Sequence, residues 1–137
     1  MKVAIVTPTI GQDCLTKCLL SIQKQEYLDI VHYVFIDGDE HKDKVNRQLE
    51  LKTKSGTLKQ FEDKKIPIKT VYLEENIGKG WYGHRVYSAC SFLVNADLIC
   101  YLDEDNWFEP DHVKRLVEKI KDGADWAYQP LPIFSSK

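Results

Sequence analysis

The chain lacks long apolar runs, excess charge of either sign and closely paired cysteines, and each absence removes a class of protein. No apolar stretch approaches the roughly 20 residues needed to cross a bilayer. A formal net charge of −2, from 19 basic and 21 acidic residues, leaves no global positive field of the kind that nucleic acid or an anionic membrane attracts. The four cysteines, Cys14, Cys18, Cys90 and Cys100, form no C-x-x-C pair. That argues against a structural zinc site and for buried, reduced thiols in a cytoplasmic protein. The opening M-K-V-A-I-V-T-P-T passes from one charge through a short apolar run into Thr-Pro-Thr without a signal-peptide cleavage pattern, so it reads as a first strand. Neither G-x-x-x-x-G-K-[ST] nor a G-x-G-x-x-G after that strand is present, which excludes P-loop and dinucleotide-binding readings. With no internal repeat, low-complexity tract or linker, 137 residues make one domain.

What is present alternates between two periodicities. Lys2 to Thr7, Val31 to Ile36, Ile66 to Leu73, Asp97 to Leu102 and Ala124 to Tyr128 are β-rich and read as five strands. Between them lie helical stripes. Leu15, Cys18, Leu19 and Ile22 share one face, with Asp13 as a candidate N-cap. A second helix follows Gly83 to about Asn95, and a third begins at Pro110 and carries Val113, Leu116, Val117 and Ile120. Residues 40 to 65 are highly charged, and Val45, Leu49, Leu58 and Phe61 mark a loosely anchored helical excursion broken near Ser55-Gly56. The order β-α-β-(α)-β-α-β-α-β predicts an α/β fold, a mostly parallel sheet with helices on both faces.

On such sheets ligands sit beyond the carboxyl ends of the strands. Three of those ends carry unusual residues: Thr7-Pro8-Thr9, Asp37-Gly38-Asp39 and Asp103-Glu104-Asp105. Four acids fall between Asp103 and Pro110, and like charges repel unless something positive or solvent separates them. Taken alone, Asp103-Glu104-Asp105 reads either as an acidic turn before the helix at Pro110 or as a Mg²⁺ or Mn²⁺ site that leaves positions open for phosphate. In the second reading Asp103 and Asp105 face the ligand and Glu104 points elsewhere. Asp37 is either an Asp-Gly turn or an acceptor for a base or ribose. Three glycines between Gly78 and Gly83 mark either a loop where a ligand lies against the backbone, with Lys79, His84 or Arg85 reaching phosphate, or a simple strand-to-helix connection with His84 and Arg85 on the helix surface. Trp107, beside the acids, is the candidate sugar-facing aromatic.

In this order the motifs resemble those of the family 2 glycosyltransferases with the GT-A fold. The resemblance rests on V-A-I-V-T-P-T, L-L-S-I-Q-K-Q at Leu19 to Gln25, I-D-G-D at Ile36 to Asp39, N-I-G at Asn76 to Gly78, and Y-L-D-E-D-N followed by Pro110. It covers about residues 2 to 130 and departs at I-D-G-D, where the first Asp of the family's D-D-G-S element is replaced and Asp37 alone matches. It implies that Thr7, Pro8 and Thr9 line a nucleotide pocket and that Asp37 contacts the base, commonly uracil. It implies that Gly78, Lys79, His84 and Arg85 flank the nucleotide or its diphosphate. Asp103 would lie near the ribose or sugar, and Asp105, with Asp103, would hold Mn²⁺ or Mg²⁺ against the diphosphate.

The reaction so implied moves a sugar from a nucleoside-diphosphate sugar, a UDP-sugar, to an acceptor glycan or other hydroxyl, with inversion. The family's general base and acceptor site come from a region well beyond the D-x-D strand, whereas this sequence ends at Lys137. Residues 1–137 are therefore expected to be a single GT-A-like domain, truncated or minimal at its C-terminus, and no base is named. The alternatives are a non-catalytic nucleotide-sugar-binding or assembly module and a sugar nucleotidyltransferase. The second is disfavoured because Thr9-Ile10-Gly11-Gln12 has one glycine and no basic residue.

Overall fold

The computed structural model describes residues 1–54 and 66–129. Its elements run β1 (Val3–Thr9), α1 (Leu15–Gln23), β2 (Ile30–Asp37), α2 (Asp39–Lys54), β3 (Ile68–Leu73), α3 (His84–Cys90), β4 (Leu98–Tyr101) and α4 (His112–Lys121). The strands form one sheet in the order β3-β2-β1-β4, and every pairing is parallel. The central pair, β1 and β2, is buried at nearly every position, which is why both read as continuous apolar runs rather than alternating ones.

The pleat sorts these residues to two sides. Val3 and Ile5 meet Cys18 and Ile22 of α1 and Val113 and Val117 of α4. On the same side Val34 and Ile36 pack on Leu15, Leu19 and Val45 of α1 and α2. Ala4, Val6, Tyr33 and Phe35 turn the other way, onto Val86 and Cys90 of α3. Helices thus cover both faces. Burial pushes the thiols of Cys18 and Cys100 up to about 12, so both stay protonated and act as small apolar side chains.

The polar residues of L-L-S-I-Q-K-Q join elements to one another. Gln23 donates to the carbonyl of Ile66 and accepts from its amide, at 2.9 and 3.1 Å. Gln25 donates to the carbonyl of Glu109 and accepts from the amide of Val113, at 2.8 and 3.1 Å. Ser21 accepts from the amide of Phe108 at 3.2 Å. The end of α1 and the two residues after it therefore supply partners for backbone groups leading into β3 and α4, groups that would cost about 1–3 kcal/mol each if buried and unpaired.

Several sequence expectations are corrected. Ala124 to Tyr128 is not a strand: Trp126 and Tyr128 stack on each other at 5.6 Å between ring centroids and face solvent. β-propensity reflects the fit of a side chain to a half-buried pleated surface, and these two residues are 72% and 73% exposed. The helix after Gly83 ends at Cys90 rather than Asn95. Cys14, not Asp13, stands at the start of α1, and α4 begins at His112 with Asp111 before it, not at Pro110. The charged excursion is helical through Lys54, with Val45 and Leu49 inward. Leu58, Phe61 and Ser55-Gly56 lie outside the described residues.

One buried polar pair sits within this core. His32 of β2 is fully buried, its Nε2 is 2.9 Å from the Thr7 hydroxyl of β1, and its Nδ1 has no hydrogen-bond partner among the described residues. Burial lowers its pKa from 6.5 to about 3, so the imidazole is neutral when folded. The unfolded chain then takes up this proton first as pH falls. His32's contribution is complete above 6.5 and is lost progressively down to about 3. The expected loss is about 1.4 kcal/mol for each pH unit below the unfolded value. Denaturant titrations at neutral pH and at about pH 5 should show it, and the slope should flatten in the Thr7→Val, His32→Leu double variant.

Candidate functional site

Past the carboxyl ends of β1, β2 and β4 the chain opens into a cleft of about 570 Å³. Pro8, Thr9, Ile10 and Gln12 line it from β1 and the following loop, Asp37 from β2, Asn76, Gly78, Lys79, Gly80, Tyr82 and Gly83 from the loop after β3, and Asp103, Glu104 and Asp105 from the loop after β4.

Two buried carboxylates shape this rim. Asp37 accepts the amides of Ile77 and Gly78, both at 2.8 Å, one on each oxygen. The loop is drawn down onto β2 so closely that a Cβ on Gly78 would collide with Asp37 Oδ2, which explains the glycine of N-I-G. Glu104 does the same for the loop after β1. Its Oε2 accepts the Thr9 hydroxyl at 2.5 Å and the amide of Gln12 at 3.0 Å, and its Oε1 accepts the amide of Ile10 at 3.2 Å. Thr9 Oγ1 in turn accepts the amide of Gly11 at 2.9 Å. Hydrogen bonds from amides and a hydroxyl to carboxylate oxygens are stronger than those to neutral acceptors.

Exposure alternates along the acidic tripeptide: Asp103 and Asp105 are exposed and Glu104 is buried. Asp103 accepts a short hydrogen bond from the Tyr87 hydroxyl of α3, and Asp105 accepts from the Asn106 side chain at 3.1 Å. Burial, with the carboxylate of Asp103 adding to it, holds the Tyr87 hydroxyl well above the usual phenol range, so it keeps its proton and donates it.

Among the sequence-derived candidates, Pro8, Thr9, Asp37, Gly78, Lys79, Asp103 and Asp105 face one cleft. Thr7, His84 and Arg85 do not line it. Thr7 is fully buried against His32 and Cys18 because its place in the pleat points it at α1. His84 is exposed at the start of α3. Arg85 stacks its guanidinium over Trp81, 4.8 Å from the ring centroid, a cation–π contact on the outer side of the loop. Trp107 lies under the Lys17 ammonium, 3.0 Å from its ring centroid, and is absent from the cleft wall. Ile10, Gln12 and Tyr82 are cleft residues that the sequence does not single out, and Asn76, the first residue of N-I-G, joins them. Tyr82 holds a left-handed backbone (φ 49°) with its ring 91% exposed at the cleft mouth.

The donor set suits a hard divalent cation. No cluster of three or more His, Cys, Asp or Glu side chains gathers into a closed site among the described residues. Mg²⁺ is held by one or two carboxylates together with substrate phosphates and water, and Asp103 and Asp105 offer two exposed carboxylates on a cleft wall.

The family model described as Glycosyl transferase family 2 matches residues 4–137. The chain belongs to glycosyl transferase family 2. The fold agrees: S. aureus TarS 1-349 in complex with UDP superposes with a TM-score of 0.68 at 16% identity, over 99% of this chain and 40% of that one. TarS 1-349 in complex with UDP-GlcNAc gives 0.63 at 17% identity, over 99% and 39%. These likenesses establish the GT-A fold. An N-acetylglucosaminyltransferase from Rhizobium leguminosarum bv. viciae is 28% identical over 126 residues, 90% of this chain and 26% of that protein. This family 2 chain therefore spans about a quarter of that curated relative.

Two substitutions test the framework of the family 2 cleft. Glu104→Ala removes the acceptor for two loop amides and a hydroxyl and should cost about 3 kcal/mol in denaturant unfolding. Gly78→Ala forces Asp37 or the loop to move and should cost about 2 kcal/mol. A value within experimental error of zero for either would show that the loop has another anchor.

Proposed function

We propose that this family 2 chain binds a UDP-sugar in the cleft and serves transfer of the sugar to an acceptor hydroxyl, with Mn²⁺ or Mg²⁺ and with inversion. One observation carries this reading. Adjacent parallel strand ends bring Thr9, Asp37, Gly78, Lys79, Asp103 and Asp105 to one cleft of about 570 Å³, within the size range of small-molecule sites. UDP-GlcNAc is the first donor to test, because TarS 1-349 is described in complex with it and the Rhizobium relative is named for transfer of that sugar.

In this proposal the nucleotide lies along the rim formed by Pro8 and Thr9 on one side and Asn76 to Gly78 on the other. Asp37 already accepts two amides, yet a carboxylate has about four acceptor sites, so a base N–H can still join. Lys79 lines the cleft and carries positive charge toward phosphate. Asp103 and Asp105 present their carboxylates where a diphosphate-bound cation would sit. When bound, the cation neutralises the departing diphosphate and the repulsion between the two acids. Inversion further requires a base for the acceptor hydroxyl, and no cleft residue is assigned that role. The loop after β1 brings Ile10, Gly11 and Gln12 but no basic side chain, which weighs against a nucleotidyltransferase.

Thermal shift measures this directly. UDP with Mn²⁺ should raise the melting temperature, chelator should abolish most of the rise, and Asp105→Ala should lose the metal-dependent part. At ligand 100 times its dissociation constant, linkage gives about 2.7 kcal/mol of stabilisation. A rise indifferent to chelator and to Asp105→Ala would overturn the metal assignment. Metal-dependent UDP binding without UDP release from UDP-GlcNAc, across an acceptor panel, would favour a binding module instead.

A further inference from the structure

We propose that Tyr87 is a positioning residue: its hydroxyl orients Asp103 so that the other carboxylate oxygen is presented to the cation in the cleft. The proposal rests on the metal-dependent reading above.

The last ladder contact on this side of the sheet is the amide of Leu102 to the carbonyl of Val6, at 3.0 Å. Asp103 therefore stands one residue beyond the backbone that the sheet holds. Its side chain is exposed, and a carboxylate there would ordinarily sample several rotamers. Tyr87 removes that freedom. Its hydroxyl donates to Oδ1 of Asp103, across 16 residues of sequence.

Tyr87 is itself held. Its ring meets Tyr101 edge to face, with centroids 5.1 Å apart and planes at 77°, and it packs beside the core cluster of Ala4, Val6, Phe35 and Val86. Its amide bonds to the carbonyl of Gly83 at 3.1 Å, in the first turn of α3, where the glycine-rich loop ends. A tyrosine has only two side-chain torsions between this fixed backbone and the hydroxyl. The result is a rigid strut from α3 to the acidic loop.

The chemistry of the donor matters as much as its place. A lysine or arginine at this position would form an ion pair with Asp103 and repel an incoming cation. A neutral phenol engages one oxygen, adds no positive charge and leaves the second oxygen free for a metal. Partners of this kind on a ligating carboxylate typically change metal affinity by about 10–100-fold when removed.

Tyr87→Phe keeps the ring and its contact with Tyr101 and deletes only the hydroxyl. The test is titration of Mn²⁺ against the wild-type chain in saturating UDP, followed by thermal shift and calorimetry, with UDP alone as a second arm. We expect Tyr87→Phe to raise the Mn²⁺ concentration for half-maximal effect about 10-fold while leaving binding of UDP alone unchanged. In an Asp103→Asn background, adding Tyr87→Phe should change the Mn²⁺ requirement no further, a coupling that a purely structural role would not produce. An unchanged Mn²⁺ requirement in Tyr87→Phe overturns the proposal while the metal-dependent reading stands. Equal weakening with and without Mn²⁺ also overturns it. A wild-type chain whose UDP binding ignores Mn²⁺ overturns the metal-dependent reading, and this proposal with it.

Discussion

The cleft depends on two carboxylates that never leave the protein's interior. Asp37 and Glu104 sit at the carboxyl ends of the sheet and accept backbone amides from the loops that follow β3 and β1. A loop drawn this close to the core has N–H groups that are partly or fully shielded from water, and an unpaired buried donor is costly. The carboxylates answer that demand and fix the two loops relative to the strands. Charge that would be a liability as free surface acid becomes a fastening when four amides and a hydroxyl point at it. The cleft is what remains between the fastened loops.

Much of this was legible in the sequence, for reasons that can be named. β1 and β2 are buried on both faces, so their runs of Val, Ile and Phe carry an unambiguous signal. The strand ends at Thr9, Asp37 and Asp103 were visible because parallel topology puts functional residues there. What failed was one short strand and several details finer than an element. Thr7 and Thr9 stand two residues apart on the same face of β1, and Thr7 meets His32 while Thr9 reaches Glu104, which no local pattern reveals. Arg85 suits phosphate as well as it suits an indole, and Trp81 takes it. Ala124 to Tyr128 has strand-forming residues without a strand, since a sheet needs a neighbour as well as a propensity. Tyr87 left no trace, because its meaning depends on a contact across the sheet end.

The motifs of family 2 also divide into two kinds. L-L-S-I-Q-K-Q carries Ser21, Gln23 and Gln25, whose side chains are turned inward to tie α1 to the starts of β3 and α4. N-I-G and L-D-E-D lie at the cleft, and even there part of each motif is framework: Gly78 makes room for Asp37, and Glu104 fastens the neighbouring loop. A resemblance built from such motifs speaks for the fold first and for the chemistry second.

The alternation at Asp103, Glu104 and Asp105 has a consequence for how this region can change. Odd positions look outward to the cleft and the even one looks inward to Thr9. Roles are thus assigned by parity. A change of residue at one position disturbs one role, whereas inserting or deleting a single residue between Leu102, held by the Val6 carbonyl, and Asp103 displaces all three from their partners at once. The segment is far more tolerant of spelling than of length.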